Sequence, residues 1–458
     1  MLFHSTRGGD KDKDFASILM QGLADDGGLF MPDHWPQVDL EKIKGLQSFV
    51  EVAKEIVPLF TASSFTQEET IKIVENTWHD FEHQDLVGIK TIENISVLEL
   101  FHGPTAAFKD FGLQLAAAFF NEVLEKEDKT ALVLGATSGD TGSAAIDACR
   151  SYVRIKSFIM LPNGNMSEVQ RRQMSTIEAD NVFALRINGT FDDCQDLVKQ
   201  AFIQRDFLKP DQYLLAVNSI NWTRIVGQIC YYFYAYNRLA NHENLNFSIP
   251  TGNFGNVFAC YSAFKMGLPI KTISVAVNDN DILHRFFASN DYSKKQVHET
   301  ISPSMDISVA SNFERLVYDF FLDRSTAKCA ELFNSFPSRG IELDEATWDK
   351  KNTLFSSSSV DDAATQAIIQ SVNNEHHYLL DPHTAVAMQE AIEASSNTDH
   401  YVVLATAHPA KFPDVYKKLA IDLSETPKAL KGLYDKTEHL HHFDANYDEI
   451  TSFINSRN

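Results

Sequence analysis

The chain has 458 residues, 44% of them hydrophobic and 22% charged, an ordinary globular balance that excludes disorder, collagen-like repeats and coiled coil. Forty basic against 62 acidic residues leave a net charge of −22, which repels phosphate backbones and anionic lipid, so nucleic acid and membrane surfaces are poor partners. Any anion this protein binds needs a local positive pocket. Five scattered cysteines (Cys149, Cys194, Cys230, Cys260, Cys329) form no C-x-x-C pair, which argues against a disulfide framework or zinc site and fits a reducing compartment. The N-terminus has no basic-then-apolar signal pattern, and the most apolar helical stretch, 225–236, is far short of a membrane span. The expectation is a soluble, cytoplasmic protein.

Residues 1–95 mix turns such as Asp25-Asp26-Gly27-Gly28 with a helical stretch around 40–60 and read as a separate N-terminal lobe. From about residue 130, apolar runs alternate with amphipathic ones. A strand at 131–134, a Gly-rich turn, a helix at 143–152 and a strand at 155–161 closed by Pro162 form a parallel βαβ unit. The rhythm continues through a strand at 182–187, a helix at 191–203, a strand at 213–217 and a long helix at 222–239. Further strands are expected at 247–249, 270–277 and 401–404. Such alternation predicts an α/β fold of open, doubly wound, mainly parallel sheet covered by helices on both faces. Residues 290–360 are polar and serine-rich, including Ser356 to Ser359, and read as insertions or linkers around one helix at 312–321. The expected domains are 1–95, 96–220 and 221–458. Aromatics at 231–236 lie at helix spacing and read as core. His439, His441 and His442, with Glu438 and Asp444 nearby, and the pair His376-His377 match no ligand spacing; they read as solvated, and no metal is expected.

In doubly wound sheets, ligands bind where strand ends lead into helix N-termini. Three loops qualify by composition. In Phe101-His102-Gly103-Pro104-Thr105-Ala106-Ala107-Phe108-Lys109-Asp110-Phe111, Thr105 can cap a helix whose apolar face is Phe108, Phe111, Leu115 and Phe119. Lys109 then opposes the helix dipole, which with desolvation favours the neutral amine that a Schiff-base lysine needs. A surface lysine in a capped helix fits this loop as well. Pro250-Thr251-Gly252-Asn253-Phe254-Gly255-Asn256 offers backbone N–H groups and a helix dipole to an anion, without the lysine of a P-loop or the spacing of a dinucleotide site. Read alone it is equally an ordinary strand-to-helix turn. Gly135-Ala136-Thr137-Ser138-Gly139-Asp140-Thr141-Gly142-Ser143, with four hydroxyls and a capping aspartate, fits a carboxylate or phosphate site or simply a well-capped helix start. Two anion cradles and a dipole-opposed lysine on one sheet suit a phosphorylated cofactor joined to the lysine, with a second anion nearby. Pyridoxal phosphate needs that layout.

The motifs around His102-Gly103-Pro104-Thr105 and Phe108-Lys109-Asp110, together with Ala136 to Gly142, Thr251 to Asn256 and Thr406-Ala407-His408-Pro409-Ala410-Lys411-Phe412, resemble the threonine synthase family, in its longer bacterial and fungal branch. The likeness is collinear from Ser5-Thr6-Arg7-Gly8 through Asp381-Pro382-His383-Thr384-Ala385 to Phe412 and covers nearly the whole chain.

The resemblance implies a fold type II (tryptophan synthase β-like) pyridoxal 5'-phosphate enzyme with an extra N-terminal lobe, which converts O-phospho-L-homoserine and water to L-threonine and phosphate. It implies Lys109 as cofactor lysine and proton shuttle. It implies Gly252, Asn253, Phe254, Gly255 and Asn256 as the cofactor-phosphate cradle, and Thr406 facing the pyridine nitrogen. The loop with Thr137, Ser138, Asp140 and Thr141 would receive the substrate carboxylate, although an acceptor-only Asp140 stands where relatives of the fold carry Asn; helix capping is its alternative role. Lys411 and Arg7, then Arg154 and Arg171, are the expected cations for the substrate phosphate, with a solvated helix-start lysine the alternative for Lys411. Rival readings are a serine or threonine dehydratase and a non-catalytic metabolite-binding homologue. The sequence carries no signal for oligomeric state.

Overall fold

The computed structural model describes residues 1–164, 166–239, 245–395, 400–423 and 426–457. The N-terminal lobe opens with an antiparallel ribbon of β1 (Phe3–Ser5) and β2 (Phe30–Pro32), enclosing helix α1 (Phe15–Gln21). The single helix expected around 40–60 is two, α2 (Leu40–Lys44) and α3 (Phe49–Thr61). Gly45 ends the first, and Ser48 restarts the chain by accepting the Glu51 N–H. After α4 (Gln67–Thr77) comes a tight hairpin of β3 (Gly88–Ile92) and β4 (Ile95–Glu99), which turns at Glu93 with φ 53°.

Helix α5 (Lys109–Glu127) then leads into the alternating region: β5 (Thr130–Ala136), α6 (Asp140–Cys149), β6 (Ile155–Pro162), α7 (Glu168–Ser175), β7 (Val182–Asn188), α8 (Phe191–Gln204) and β8 (Gln212–Ala216). Apart from α7, where no helix was expected, these match the expected strands and helices closely, because the buried apolar runs leave no other period. Helix α9 (Trp222–Arg238), β9 (Leu245–Pro250), α10 (Gly255–Lys265) and β10 (Ile270–Val277) follow. The last strands are β11 (Phe355–Ser359), β12 (Tyr401–Ala405) and β13 (Leu440–Asp444). Two sheets result. One has the order β11-β10-β9-β12-β4-β3 and is parallel except at the β3–β4 edge; the other is β13-β7-β6-β5-β8 and wholly parallel.

Three expectations need correcting. Ser356 to Ser359 are not linker but the edge strand β11. Three of its four serine hydroxyls are paired, Ser356 with Ser274 (2.6 Å) and Glu390, Ser357 with His284 and Ser359 with the Asn278 carbonyl, while Ser358 Oγ is buried without a partner among the described residues; a mostly paired polar run can sit in a sheet edge. The helix expected at 312–321 is one α-turn, Phe313–Leu316, followed by a π-helical turn, Val317–Phe321. His441 and His442 lie in β13, which pairs with β7; residues 440–444 therefore share a sheet with the middle of the chain, and 88–92 pair with β4, so sheet membership does not follow the 1–95, 96–220, 221–458 division.

Helix α9 is the central post. Every residue from Trp222 to Tyr236 is buried, and Phe49 and Phe60 of the N-terminal lobe pack on Tyr234 and Trp222. The lobe is also tied by polar contacts. Fully buried Arg315 donates to the Phe30 carbonyl (3.0 Å) and the Ile220 carbonyl (2.6 Å), and it also bonds Asn312. Asn312 in turn donates to the carbonyls of Ser219 and Asn253. Through these bonds the lobe braces the loops that follow β8 and β9. Among the described residues no helix is long and apolar enough to cross a membrane, and no acid, histidine and cysteine cluster could hold a metal ion.

Candidate active site

The carboxyl ends of β4, β5, β8, β9 and β12 open on one pocket. Its lining includes Lys109, Thr141, Ser219, Arg224, Gln228, the whole stretch 250–256, Ser304, His383 and Thr406. Lys109, Thr141 of the 135–143 loop and the 250–256 loop thus line one pocket, although they were expected on one sheet and β5 belongs to a different sheet from β4 and β9.

Helix α5 begins at Lys109, at the positive end of its dipole. Thr105 does not cap it. Instead Asp110 turns back and accepts from the Thr105 N–H (2.9 Å) and hydroxyl (2.5 Å), closing the loop that presents the lysine. Burial pushes the Asp110 carboxyl up to about 7. A Cβ at Gly103 would lie 2.4 Å from the Asp110 carboxylate, so only glycine fits there. The Lys109 Nζ lies 3.3 Å from the Ser304 hydroxyl and 3.4 Å from Asp140 Oδ2, with the side chain 11% exposed. Burial lowers its pKa; Asp140 opposes this, while the charges of Lys411 and Arg224 add to it.

The loop from β9 into α10 has the geometry of an anion cradle. Phe254 holds the left-handed conformation (φ 64°), uncommon for a bulky residue, and its ring is fully buried edge-on against Phe313. The packed ring compensates the strain and leaves the first turn of α10 open to the pocket. A Cβ at Gly252 would come within 2.6 Å of the Ser304 carbonyl oxygen. Asn256 is held by Tyr231, which donates to its side-chain oxygen, and by Tyr232, which donates to its carbonyl at 2.7 Å. Asn253 is more exposed and accepts from Ser311 (3.2 Å). Thr406 directly follows β12, its N–H donating to Thr384 and its carbonyl accepting from Phe108.

In the third loop Thr137, not Asp140, caps α6: its hydroxyl oxygen accepts the N–H groups of Gly139 (3.1 Å) and Gly142 (2.9 Å). Ser138 is exposed and Thr141 faces the pocket. Asp140 is buried among donors, receiving Lys411 Nζ at 2.8 Å and Gln170 Nε2 at 2.9 Å on Oδ1. Burial alone would raise its carboxyl, but the charges of Lys411 and Lys109 outweigh that and hold it well below the usual range.

The cations expected for a second phosphate are all engaged elsewhere. Lys411 is 0% exposed and divides its ammonium between Asp140 and the Thr105 carbonyl (2.8 Å). Arg7 lies outside the pocket in a two-bond ion pair with Glu314 (2.7 and 3.0 Å). Arg171 is clamped by Glu438, and Arg154 pairs with Asp128. The cation that does line the pocket is Arg224, which no sequence motif singles out. It is 4% exposed, its Nη1 has no hydrogen-bond partner among the described residues, and burial lowers its pKa to about 10. Ser304 and His383 join the site without a role expected from sequence. The His383 Nε2 accepts the Ser304 N–H (3.1 Å) while Nδ1 donates to Asp381 (2.9 Å), which fixes Ser304 beside the lysine.

Family models match three stretches of the chain. Residues 2–78 match the model "Threonine synthase N terminus", 90–331 match "Pyridoxal-phosphate dependent enzyme" and 384–454 match "Threonine synthase, C-terminal". A threonine synthase of Pseudomonas aeruginosa is 44% identical over 96% of this chain and 94% of its own length. The chain belongs to the threonine synthase family. Among solved structures, a PLP-bound threonine synthase from Brucella melitensis superposes with a TM-score of 0.95 at 40% identity, covering 99% of both chains. The yeast threonine synthase superposes at 0.92 with 34% identity, over 100% of this chain and 98% of that one. Membership in the family makes this a pyridoxal-phosphate enzyme of fold type II, with the N-terminal lobe as its additional domain.

Proposed function

We propose that this enzyme is a threonine synthase, which converts O-phospho-L-homoserine and water to L-threonine and phosphate as the last step of threonine biosynthesis. The observation that carries the reading is one pocket holding a buried amine, a helix-mouth cradle and a buried guanidinium with an unpartnered Nη1, in a chain related over nearly its full length to threonine synthases. The residues fit pyridoxal 5'-phosphate. Lys109 supplies the amine; the first N–H groups of α10 and glycines 252 and 255 suit a phosphate; the Thr406 hydroxyl suits a ring nitrogen left unprotonated. A cytoplasmic location belongs to the same reading, supported by five buried cysteines without a disulfide.

When bound, pyridoxal phosphate draws electrons from the substrate's Cα and makes the protons at Cα and Cβ removable. Lys109 is then the shuttle: its amine takes the Cα proton, then a Cβ proton, and one proton returns to Cγ, which becomes the methyl group, and one to Cα, which regains its hydrogen. The bond from Cγ to the phosphate oxygen breaks; the hydroxyl of water joins Cβ, and water's remaining proton goes to the departing phosphate. Arg224 holds the substrate phosphate and receives the departing dianion, the role expected from sequence for Lys411 and Arg7. The 137–141 loop, through its N–H groups and the Ser138 and Thr141 hydroxyls, holds the substrate carboxylate, with Thr137 bracing the loop. The brace from the N-terminal lobe and the buried surroundings keep bulk water from the reacting carbons.

Incubation with O-phosphohomoserine should release threonine and phosphate in equal amounts. A dehydratase would make a keto acid and ammonia from serine or threonine with no phosphate released, and a binding homologue would show no turnover; either result would reject the reading. A second expectation concerns Gly252→Ala. The added carbon forces the Pro303–Met305 turn away from the cradle, so cofactor affinity should fall about 10- to 100-fold, as measured by titrating the cofactor-free protein. Unchanged affinity would mean that the cradle lies elsewhere.

A further inference from the structure

Lys411 is an ammonium with no access to solvent in a protein whose other lysines are mostly at the surface. It emerges from the turn Pro409–Lys411 directly after β12 and reaches past the Lys109 loop to Asp140. Asp140 spends one oxygen on Lys411 and Gln170 and points the other at Lys109 and Ser304. One carboxylate thus stands between two amines, held rigidly to the first at 2.8 Å and loosely to the second at 3.4 Å. Isolated buried charges are expensive, and a single carboxylate balances a single ammonium. If Lys411 holds that share permanently, Lys109 has no full counter-charge of its own.

We propose that Lys411 is a positioning residue that neutralises Asp140, so that Lys109, whenever its amine is free, rests uncharged and ready to accept a proton. Asp140 remains close enough to accommodate the proton once it arrives. This rests on Lys109 being the proton shuttle of the proposed function, and it replaces a substrate-binding role for Lys411. The other groups facing Lys109 act in the same direction or are neutral: Arg224 from α9 is a further positive charge, Ser304 contributes a hydroxyl, the Phe108 ring lies 5.4 Å away, and His383 is committed to Asp381 and Ser304. Asp110, on the lysine's own helix, is turned toward Thr105.

The test is the pH at which Lys109 loses its proton in the cofactor-free protein, read by competitive acetylation and peptide mass spectrometry, with the pH titration of the bound cofactor's visible absorbance alongside. Lys411→Met removes the ammonium at similar volume. Both midpoints should move upward by at least about one pH unit, and the acid limb of kcat should follow, with the KM for phosphohomoserine little changed. The double variant Lys411→Met, Asp140→Asn removes both charges and should bring the Lys109 midpoint back toward the wild-type value. A single variant with unmoved midpoints overturns the proposal; a raised KM alone would make Lys411 a substrate ligand, and a lower kcat alone a packing residue. Should the single variant be insoluble, a soluble double variant with a near-wild-type midpoint supports charge balance, and insolubility of both overturns it. The acetylation readout needs no substrate, so it stands apart from failure of the threonine synthase reading, which would show as wild-type protein that forms no threonine.

Discussion

Lys109→Ala is expected to abolish threonine formation, by at least about 10⁴-fold, and to leave a protein with no visible cofactor band. The size of the effect follows from two functions carried by one atom, cofactor attachment and proton transfer. The fold should survive, because Asp140 keeps Lys411 and Gln170 as partners and the Asp110–Thr105 closure of the loop does not involve the lysine side chain. Circular dichroism and solubility should match the wild type. Small primary amines added at high pH should restore a measurable part of the activity, since the cavity left by the side chain opens on the pocket. A variant that keeps a coloured, borohydride-reducible species would refute the assignment of Lys109.

Arg224→Met is expected to move stability and activity in opposite directions. The guanidinium is buried with an unpartnered Nη1, so replacing it with an apolar side chain of similar length removes a desolvated charge and should raise Tm by roughly 2–4 °C. The same change removes the cation proposed for the substrate phosphate and should lower kcat/KM for phosphohomoserine at least about 100-fold, while the cofactor's visible band is retained. Loss of that band would transfer Arg224 to the cofactor cradle. Unchanged kcat/KM would remove it from substrate binding altogether. An arginine that weakens the free protein is intelligible if its partner arrives with the substrate.

The parts of the site that could be read from the chain are those whose local pattern is also their chemistry. The spacing of Phe108, Phe111, Leu115 and Phe119 sets the register of α5 and so places Lys109 at its start. Gly252 and Gly255 follow a buried strand and open a helix, which marks a candidate anion-binding mouth. The pairing of the candidate cations was not legible, for a different reason. Lys411 and Arg7 stand in recognisable motifs, but their partners Asp140 and Glu314 are remote in sequence, and pairing is decided only in the folded protein. The clue that was present lay in α9: an arginine among residues that are otherwise nearly all apolar or aromatic, four positions before Gln228 on the same face, has no structural reason to be there. Strands β11 and β13 escaped notice because serine and histidine dominate them. An edge strand needs only one buried flank, and most of their polar side chains find hydrogen-bond partners or rest on rings, as Ser356 does with Ser274 and His441 on Phe453 at 4.6 Å.

Strand β13 has one more consequence. It closes the outer flank of β7, with residues 440–444 set against 184–188, and the helix Tyr447–Arg457 behind it drives Ile450 and Ile454 into the same small core as Leu185, Ile187 and Leu197. More than half of the chain separates β7 from the segment that covers it. A nascent chain on the ribosome therefore carries an uncovered parallel edge and its greasy flank through most of translation, and a premature stop shortly before residue 440 would make that exposure permanent. The cost of losing so small a tail would be precipitation of the whole polypeptide, although none of the tail's described residues lines the pocket.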